Sequence, residues 1–107
     1  MQLNNKKIHE LKCWPEFFVP LREQIKEFEL RKNDRDYKVG YYLILLEYDP
    51  GSEHGHTGRV VYRQVQYVLG ASQAPAGLAD GYVILGLTRI SRQEEVGIDT
   101  EIAKARL

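Results

Sequence analysis

The chain contains a single cysteine, Cys13, and therefore cannot form a disulfide within itself. This is typical of proteins from reducing compartments. The longest purely apolar stretch, residues 41–46, is far shorter than the roughly 20 residues that a helix needs to cross a bilayer. The N-terminus is polar and lacks the apolar segment of a signal peptide. We therefore expect a cytoplasmic protein with no membrane partner.

An excess of charge of either sign is also absent, since 15 Lys and Arg residues balance 15 Asp and Glu residues. Domains that bind long nucleic acids through many phosphate contacts are usually strongly basic. The neutral balance argues against strong binding to duplex DNA. It is compatible with a local pocket for one nucleotide or for a short unpaired RNA segment.

The chain has no internal repeat, low-complexity tract or linker, so its 107 residues are expected to form one domain. Apolar residues make up 43% and charged residues 28%, which is typical of a globular protein that buries a core without a structural metal. We expect this core over residues 7–90. Residues 91–107 are polar, and Ser91 with Glu94 could form a capping box, so the segment is predicted as either a helix or a loose tail.

Hydrophobic periodicity predicts one strand, a helical segment and then four more strands. Residues 7–12 alternate as in a strand, whereas the apolar residues from Trp14 to Phe28 recur at the three- and four-residue spacing of a helix. Pro20 does not suit a helix interior, and predicts a kink or a helix that restarts there. The later strands follow from the period-two or continuous apolar patterns that begin at residues 27, 41, 59 and 81.

A small, mainly β barrel of five or six strands, with one main helix packed across it, is the fold that this order favours. Barrels of this size often bind a ligand at one mouth. The residues predicted to be mostly buried are Phe28, Leu30, Leu43, Leu45, Val83 and Leu85.

Several segments resemble the bacterial and phage proteins called domain of unknown function 3850, which are placed in the ASCH superfamily of PUA-like barrels. The most specific segment is FELRKNDRDYKVG, and the others are IHELK, EYD, TGRV and GYVILG. The resemblance covers residues 8 to about 90. It implies an α+β, mainly β PUA-like barrel with a cleft beside the helix and a role in binding RNA or modified nucleotides. Tyr41, where an acidic residue is usual, and Pro20 depart from the family pattern.

One ASCH branch hydrolyses N4-acetylcytidine with a Lys, a Thr three residues later and a distant Glu. Lys26 matches that Lys, but Glu29 stands at the position of the Thr, and no residue is assigned to the distant Glu. The resemblance therefore carries over for Lys26 alone.

The charged segment from Lys26 to Arg35 is the candidate site. Period two places Glu29 and Arg31 on the strand face opposite Phe28 and Leu30. A guanidinium on a face that lines a cleft could hold a phosphate or a base edge, and a carboxylate could accept from an exocyclic amine or act as a base. A structural ion pair or a solvated face is the ordinary alternative. The predicted ligand-binding residues are Lys12, Lys26, Glu29, Arg31, Lys32 and Arg35.

Other residues are less suited to a site. Trp14 and Tyr82 could stack on a base, but both occupy positions where core residues are expected. His54 and His56 could bind a metal, but no third ligand follows at a suitable spacing, so we expect neither a metal nor a cofactor. Cys13 has no catalytic partner in the sequence and is expected to be buried.

Three hypotheses for function follow. The first is a binding module for RNA or a nucleotide. The alternatives are a small amidohydrolase that acts on a modified nucleoside such as N4-acetylcytidine through Lys26 and Glu29, and an adaptor whose cleft binds a protein segment. No Ser, Thr or Cys nucleophile lies near Lys26 and Glu29 in the sequence, which favours binding over covalent catalysis and leaves water as the nucleophile in the hydrolase alternative.

Overall fold

The computed structural model describes residues 1–107 and shows one six-stranded sheet with two α-helices and one short 3-10 helix. The elements are β1 (Gln2–Leu3), β2 (Lys6–Cys13), α1 (Pro15–Arg22), β3 (Phe28–Lys32), β4 (Tyr42–Tyr48), β5 (His56–Gly70), the 3-10 helix Ala71–Gln73, β6 (Tyr82–Thr88) and α2 (Arg92–Ala105). The expectation of a mainly β, α+β fold is confirmed. Neither α-helix has both the length and the apolar character that a bilayer-spanning helix requires.

The strand order in the sheet is β1-β2-β4-β5-β6-β3. Strands β2 and β4 are parallel, so the chain between them must cross over, and α1 and β3 lie in this crossover. All other neighbours are antiparallel. Because β1 and β3 end the order, backbone pairing does not close the sheet into a barrel, and this part of the expected fold is not confirmed.

The main core lies on one face of the sheet, where α1 contributes Phe18 and Leu21. Four of the predicted core residues belong to this cluster and are buried, namely Leu43, Leu45, Val83 and Leu85. Helix α1 runs through Pro20 as a single helix and ends at Arg22, and the exposed Ile25 lies beyond it. The helix predicted from the periodicity of residues 14–28 was therefore too long at its C-terminal end.

The predicted burial of Phe28 and Leu30 is wrong. These side chains are 48% and 56% exposed, whereas Glu29 between them is only 4% exposed. The alternation on β3 was predicted correctly, but its phase is opposite to the one expected from hydrophobicity. Charged partners next to Glu29 make this phase possible, because a carboxylate can be buried when its charge is matched and its oxygens are hydrogen-bonded.

Residues 91–107, for which a helix and a loose tail were both considered, contain helix α2. Its start has the expected capping box, in which the Ser91 hydroxyl accepts from the Glu94 amide at 3.1 Å and the Glu94 carboxylate accepts from the Ser91 amide at 3.0 Å. Helix α2 covers the second face of the sheet through the fully buried Ile98, which packs with Tyr42 and Ile44. Strand β4 is therefore buried on both faces, as its continuous apolar sequence indicated.

We predict that Leu45→Ala lowers the free energy of unfolding by about 2–5 kcal/mol, because Leu45 is fully buried and its truncation leaves a cavity. Urea unfolding followed by circular dichroism measures the change. The control is Ile25→Ala, at a side chain that is 76% exposed, for which we expect a change within about 0.5 kcal/mol. Equal losses in the two variants would contradict the assignment of Leu45 to the core.

Candidate functional site

A cleft of about 770 Å³ lies between the C-terminal end of β2, the first turn of α1 and strand β3. It is lined by Lys12, Cys13, Trp14, Phe17, Lys26, Phe28, Glu29, Leu30, Arg31, Lys32 and Tyr82. All five residues of β3 are among them. Since successive side chains of a strand point to opposite faces, a cleft that reaches all five lies along the edge of β3 rather than over one of its faces.

Glu29 is bound by two cations inside the cleft. The Lys26 ammonium group forms an ion pair with one oxygen of the Glu29 carboxylate, and Arg31 Nε donates to the other oxygen at 2.9 Å. Glu29 is buried and both cations are mostly buried, so water screens these contacts less than it would at an open surface. The carboxylate therefore fixes the positions of both cationic groups.

The backbone after α1 determines where Lys26 lies. The Pro20 carbonyl accepts from the amides of both Ile25 and Lys26, at 2.9 and 3.1 Å, so the chain turns tightly after the helix. This turn brings the Lys26 ammonium group to 5.3 Å from the centre of the Phe28 ring and to 5.9 Å from that of Phe17, within the range of cation–π attraction.

Arg31 also connects β3 to β2, two strands that do not pair. Its Nη2 donates to the carbonyl of Lys12 at 2.7 Å. A second guanidinium makes a longer contact of the same kind, from Arg35 Nη1 to the carbonyl of Glu10 at 3.4 Å. The gap between β2 and β3 is therefore bridged by side chains, and the cleft opens beside this bridge.

Positive charge is concentrated in the cleft although the chain as a whole is neutral. Four cationic side chains, those of Lys12, Lys26, Arg31 and Lys32, line it together with a single carboxylate, that of Glu29. The local field therefore favours an anionic ligand. Positive charge confined to one cleft of a neutral chain is expected for a pocket, whereas a long basic groove would give the whole chain a positive charge.

Aromatic side chains surround these charges. Trp14, Phe17, Phe28 and Tyr82 all line the cleft and are between 41% and 52% exposed. The interpretation of Trp14 and Tyr82 as core residues is wrong. Trp14 precedes the first helical residue in an extended conformation, and Tyr82 lies on the face of β6 opposite the buried Val83. The alternation in β6 was a signal that could have identified Tyr82.

The structure brings together five of the six predicted ligand-binding residues: Lys12, Lys26, Glu29, Arg31 and Lys32. Arg35 does not line the cleft, because its guanidinium turns toward the Glu10 carbonyl and lies 4.0 Å from the Asp34 carboxylate. The structure contains no group of three or more His, Cys, Asp or Glu residues arranged to hold a metal, and the His56 ring instead packs edge-on against Tyr48.

Sequence reasoning missed a second buried carboxylate, that of Glu47. It accepts from the Thr57 hydroxyl at 2.7 Å and from Arg59 Nε, also at 2.7 Å. Burial alone would raise the pKa of Glu47, but the hydrogen bonds from Thr57 and Arg59 outweigh it and the pKa is lowered. The strongly apolar sequence of β4 gave no sign of this cluster. The Thr57 hydroxyl is bound to Glu47 and does not line the cleft.

The nucleophilic residue in the cleft wall is Cys13, which lies beside Glu47 in the β2–β4 register and is buried. Burial, and after it the charge of Glu29, raises the pKa of the Cys13 thiol to about 11. At neutral pH the thiol is therefore protonated and unreactive.

Comparison with known families gives a match. The model of a family described as Domain of unknown function (DUF3850) matches residues 8–87, and thus includes every residue that lines the cleft but not helix α2. A search of curated proteins gives no match.

We predict that native Cys13 reacts with iodoacetamide at pH 8 at least ~10-fold more slowly than the same thiol in the urea-unfolded chain, because the reactive thiolate is scarce when the pKa is raised. Mass spectrometry of timed samples follows the reaction, and a small cysteine peptide in the same urea solution corrects for solvent effects. Equal rates in the folded and unfolded protein would contradict the burial of Cys13.

Proposed function

The chain belongs to the family described as Domain of unknown function (DUF3850), and we propose that this member binds a nucleotide or a short single-stranded RNA in the cleft along β3. The observation that carries the proposal is the combination of four half-exposed aromatic side chains with four cationic side chains around one cleft of a neutral chain. Unpaired bases stack on aromatic rings, and their phosphates are attracted by Lys and Arg.

The size and charge of the cleft fit this ligand class. A volume of about 770 Å³ is within the usual range for small-molecule sites. Stacking is worth roughly 1–3 kcal/mol per base in single-strand binders, so the exposed rings can supply much of the affinity. A duplex has its bases stacked on each other and would leave these rings unused. The ligand is therefore an unpaired base with its phosphate.

Glu29 supplies a polar contact for the base. Lys26 and Arg31 each bind one of its oxygens, and a carboxylate has about four lone-pair positions. The remaining positions can accept from an exocyclic amino group. Because Glu29 is buried, such a bond would form away from competing water and would be stronger for that reason.

We also propose that the sheet is a PUA-like barrel of the ASCH type. The bridges from Arg31 and Arg35 to the carbonyls of β2 support this, since they join one end of the strand order to a strand near its other end. A cytoplasmic location remains part of the proposal, in keeping with a single reduced cysteine.

The direct contact between Lys26 and Glu29 favours one alternative, hydrolysis of a modified nucleoside such as N4-acetylcytidine. The cleft contains no Ser or Thr hydroxyl, and Cys13 is protonated, so the nucleophile in this alternative is water. Glu29 would remove a proton from the water as its oxygen bonds to the acetyl carbonyl carbon, and Lys26 would stabilise the developing negative charge. The bond from that carbon to N4 would then break, with the proton passing from Glu29 to the leaving amine to give cytidine and acetate.

We predict that the protein binds a mixed-sequence single-stranded RNA of about ten nucleotides more tightly than duplex DNA of the same length near physiological salt. Arg31→Ala is expected to weaken RNA binding by about 1–3 kcal/mol, since it removes a forked, charge-assisted contact. Glu29→Gln is also expected to weaken RNA binding, because the amide has one acceptor oxygen for the two cations that the carboxylate holds in the cleft. Fluorescence anisotropy measures the affinities.

The control for this prediction is Arg92→Ala, which removes an exposed Arg of helix α2 that does not line the cleft and is expected to leave binding unchanged. Circular dichroism checks that the Arg31 variant is folded, because Arg31 also bridges β3 and β2. Equal affinity for duplex and single strand, with a steep dependence on salt, would argue against a pocket.

A separate measurement decides between binding and catalysis. The parent protein is incubated with N4-acetylcytidine, and the release of cytidine is followed by chromatography. We expect binding without turnover. Turnover that disappears in both Lys26→Ala and Glu29→Gln would replace the binding proposal with the hydrolase, because proton transfer requires an ionisable group at hydrogen-bonding distance.

A further inference from the structure

The edge of β3 brings backbone groups into the cleft as well as side chains. Just beyond its two ends, the Asn33 amide donates to the Gly81 carbonyl at 2.8 Å, and the Leu87 amide donates to the Glu27 carbonyl at 2.9 Å. Both bonds lie in the β3–β6 register, which pairs Leu30 with Ile84. Hydrogen-bonded pairs alternate in an antiparallel ladder, so odd-numbered residues of β3 bond to β6 and even-numbered residues point their backbone groups away from it.

Leu30 is the central residue of those that point away from β6. No strand pairs with that edge, since β3 ends the strand order. The carbonyl of Lys32, which points the same way, accepts from the Asp34 amide at 2.9 Å. The N–H and C=O of Leu30 form no comparable hydrogen bond with the backbone of a turn or loop. Leu30 itself lines the cleft. Its backbone therefore offers one donor and one acceptor, side by side, to whatever occupies the cleft.

We propose that the Leu30 N–H and C=O pair with the Watson–Crick edge of a cytosine or adenine, an inference that rests on the proposed nucleotide-binding function. Each of these bases has a ring nitrogen that accepts, next to an exocyclic amino group that donates. The ring nitrogen accepts from the Leu30 N–H, and one amino hydrogen is donated to the Leu30 carbonyl. The second amino hydrogen is left for the carboxylate of Glu29, the residue before Leu30, which lines the same cleft.

The Glu29 carboxylate makes the contact selective. Uracil has a carbonyl oxygen where cytosine has its amino group, and a carboxylate repels an oxygen that only accepts hydrogen bonds. The aromatic rings around the cleft stack on any base and do not discriminate among them. The rings and cations thus supply affinity, whereas the edge of β3 selects the base.

Proline provides a direct test, because it lacks the N–H and is tolerated on edge strands where that group does not pair. Leu30→Pro removes the proposed donor without removing a bond to β6, and Leu30→Ala shortens the same side chain but keeps the donor. We expect Leu30→Pro to bind cytidine monophosphate at least ~10-fold more weakly than Leu30→Ala does. Isothermal titration calorimetry measures both, after urea unfolding has shown that both variants are folded.

A ligand-side test does not depend on the folding of any variant. The parent protein is titrated with cytidine, adenosine and uridine monophosphates and with N4,N4-dimethylcytidine monophosphate, which lacks both amino hydrogens. We expect the first two to bind at least ~10-fold more tightly than the last two. An acidic peptide in extended conformation, which could add to β3 as a strand, is expected not to displace cytidine monophosphate.

The outcomes are distinct. Equal affinity for all four nucleotides, together with equal binding by Leu30→Pro and Leu30→Ala, would overturn base selection by the β3 edge while leaving nucleotide binding intact. Displacement by the peptide would assign the edge to a protein strand instead. Failure of the parent to bind any nucleotide would overturn the proposed function, and this inference with it.

Discussion

The buried carboxylate of Glu29 constrains most of the cleft around it. An unmatched charge at this position would be costly, so the two cations that bind it must be held in place. Lys26 is held by the turn around the Pro20 carbonyl, and Arg31 extends from β3 to the backbone of β2. One carboxylate therefore links the end of α1, an edge strand and the strand across the gap. The cationic groups that a ligand would meet are positioned before it arrives.

Strand β3 shows both what the sequence reveals and what it conceals. Alternation was visible in FELRK, and it placed Glu29 and Arg31 correctly on one face. Which face is buried could not be deduced, because hydrophobicity favours Phe28 and Leu30, and only the partners of Glu29 in three dimensions reverse that preference. Strand β4 was easier to predict, since residues 42–46 are apolar on both faces and either choice of phase buries apolar side chains there.

The charged residues of the site could be predicted from the sequence more readily than its aromatic residues. Four of the five charged residues in the cleft lie within seven positions of each other, so the segment was conspicuous in the sequence. Trp14 and Tyr82 are far apart along the chain, and their hydrophobicity alone gave no reason to place them outside the core. The Glu47 cluster was not foreseeable either, because Thr57 and Arg59 reach it only through the β4–β5 hairpin.

The pairing of β3 with β6 also has a consequence for the order in which the protein folds during its synthesis. The partner of Lys32 is Tyr82, and the partner of Phe28 is Gly86, so β3 has no neighbouring strand until β6 has left the ribosome. At translation rates of about 5–20 residues per second, β3 waits for several seconds while β4 and β5 can already form their hairpin. The cleft is therefore the last part of the sheet to be assembled.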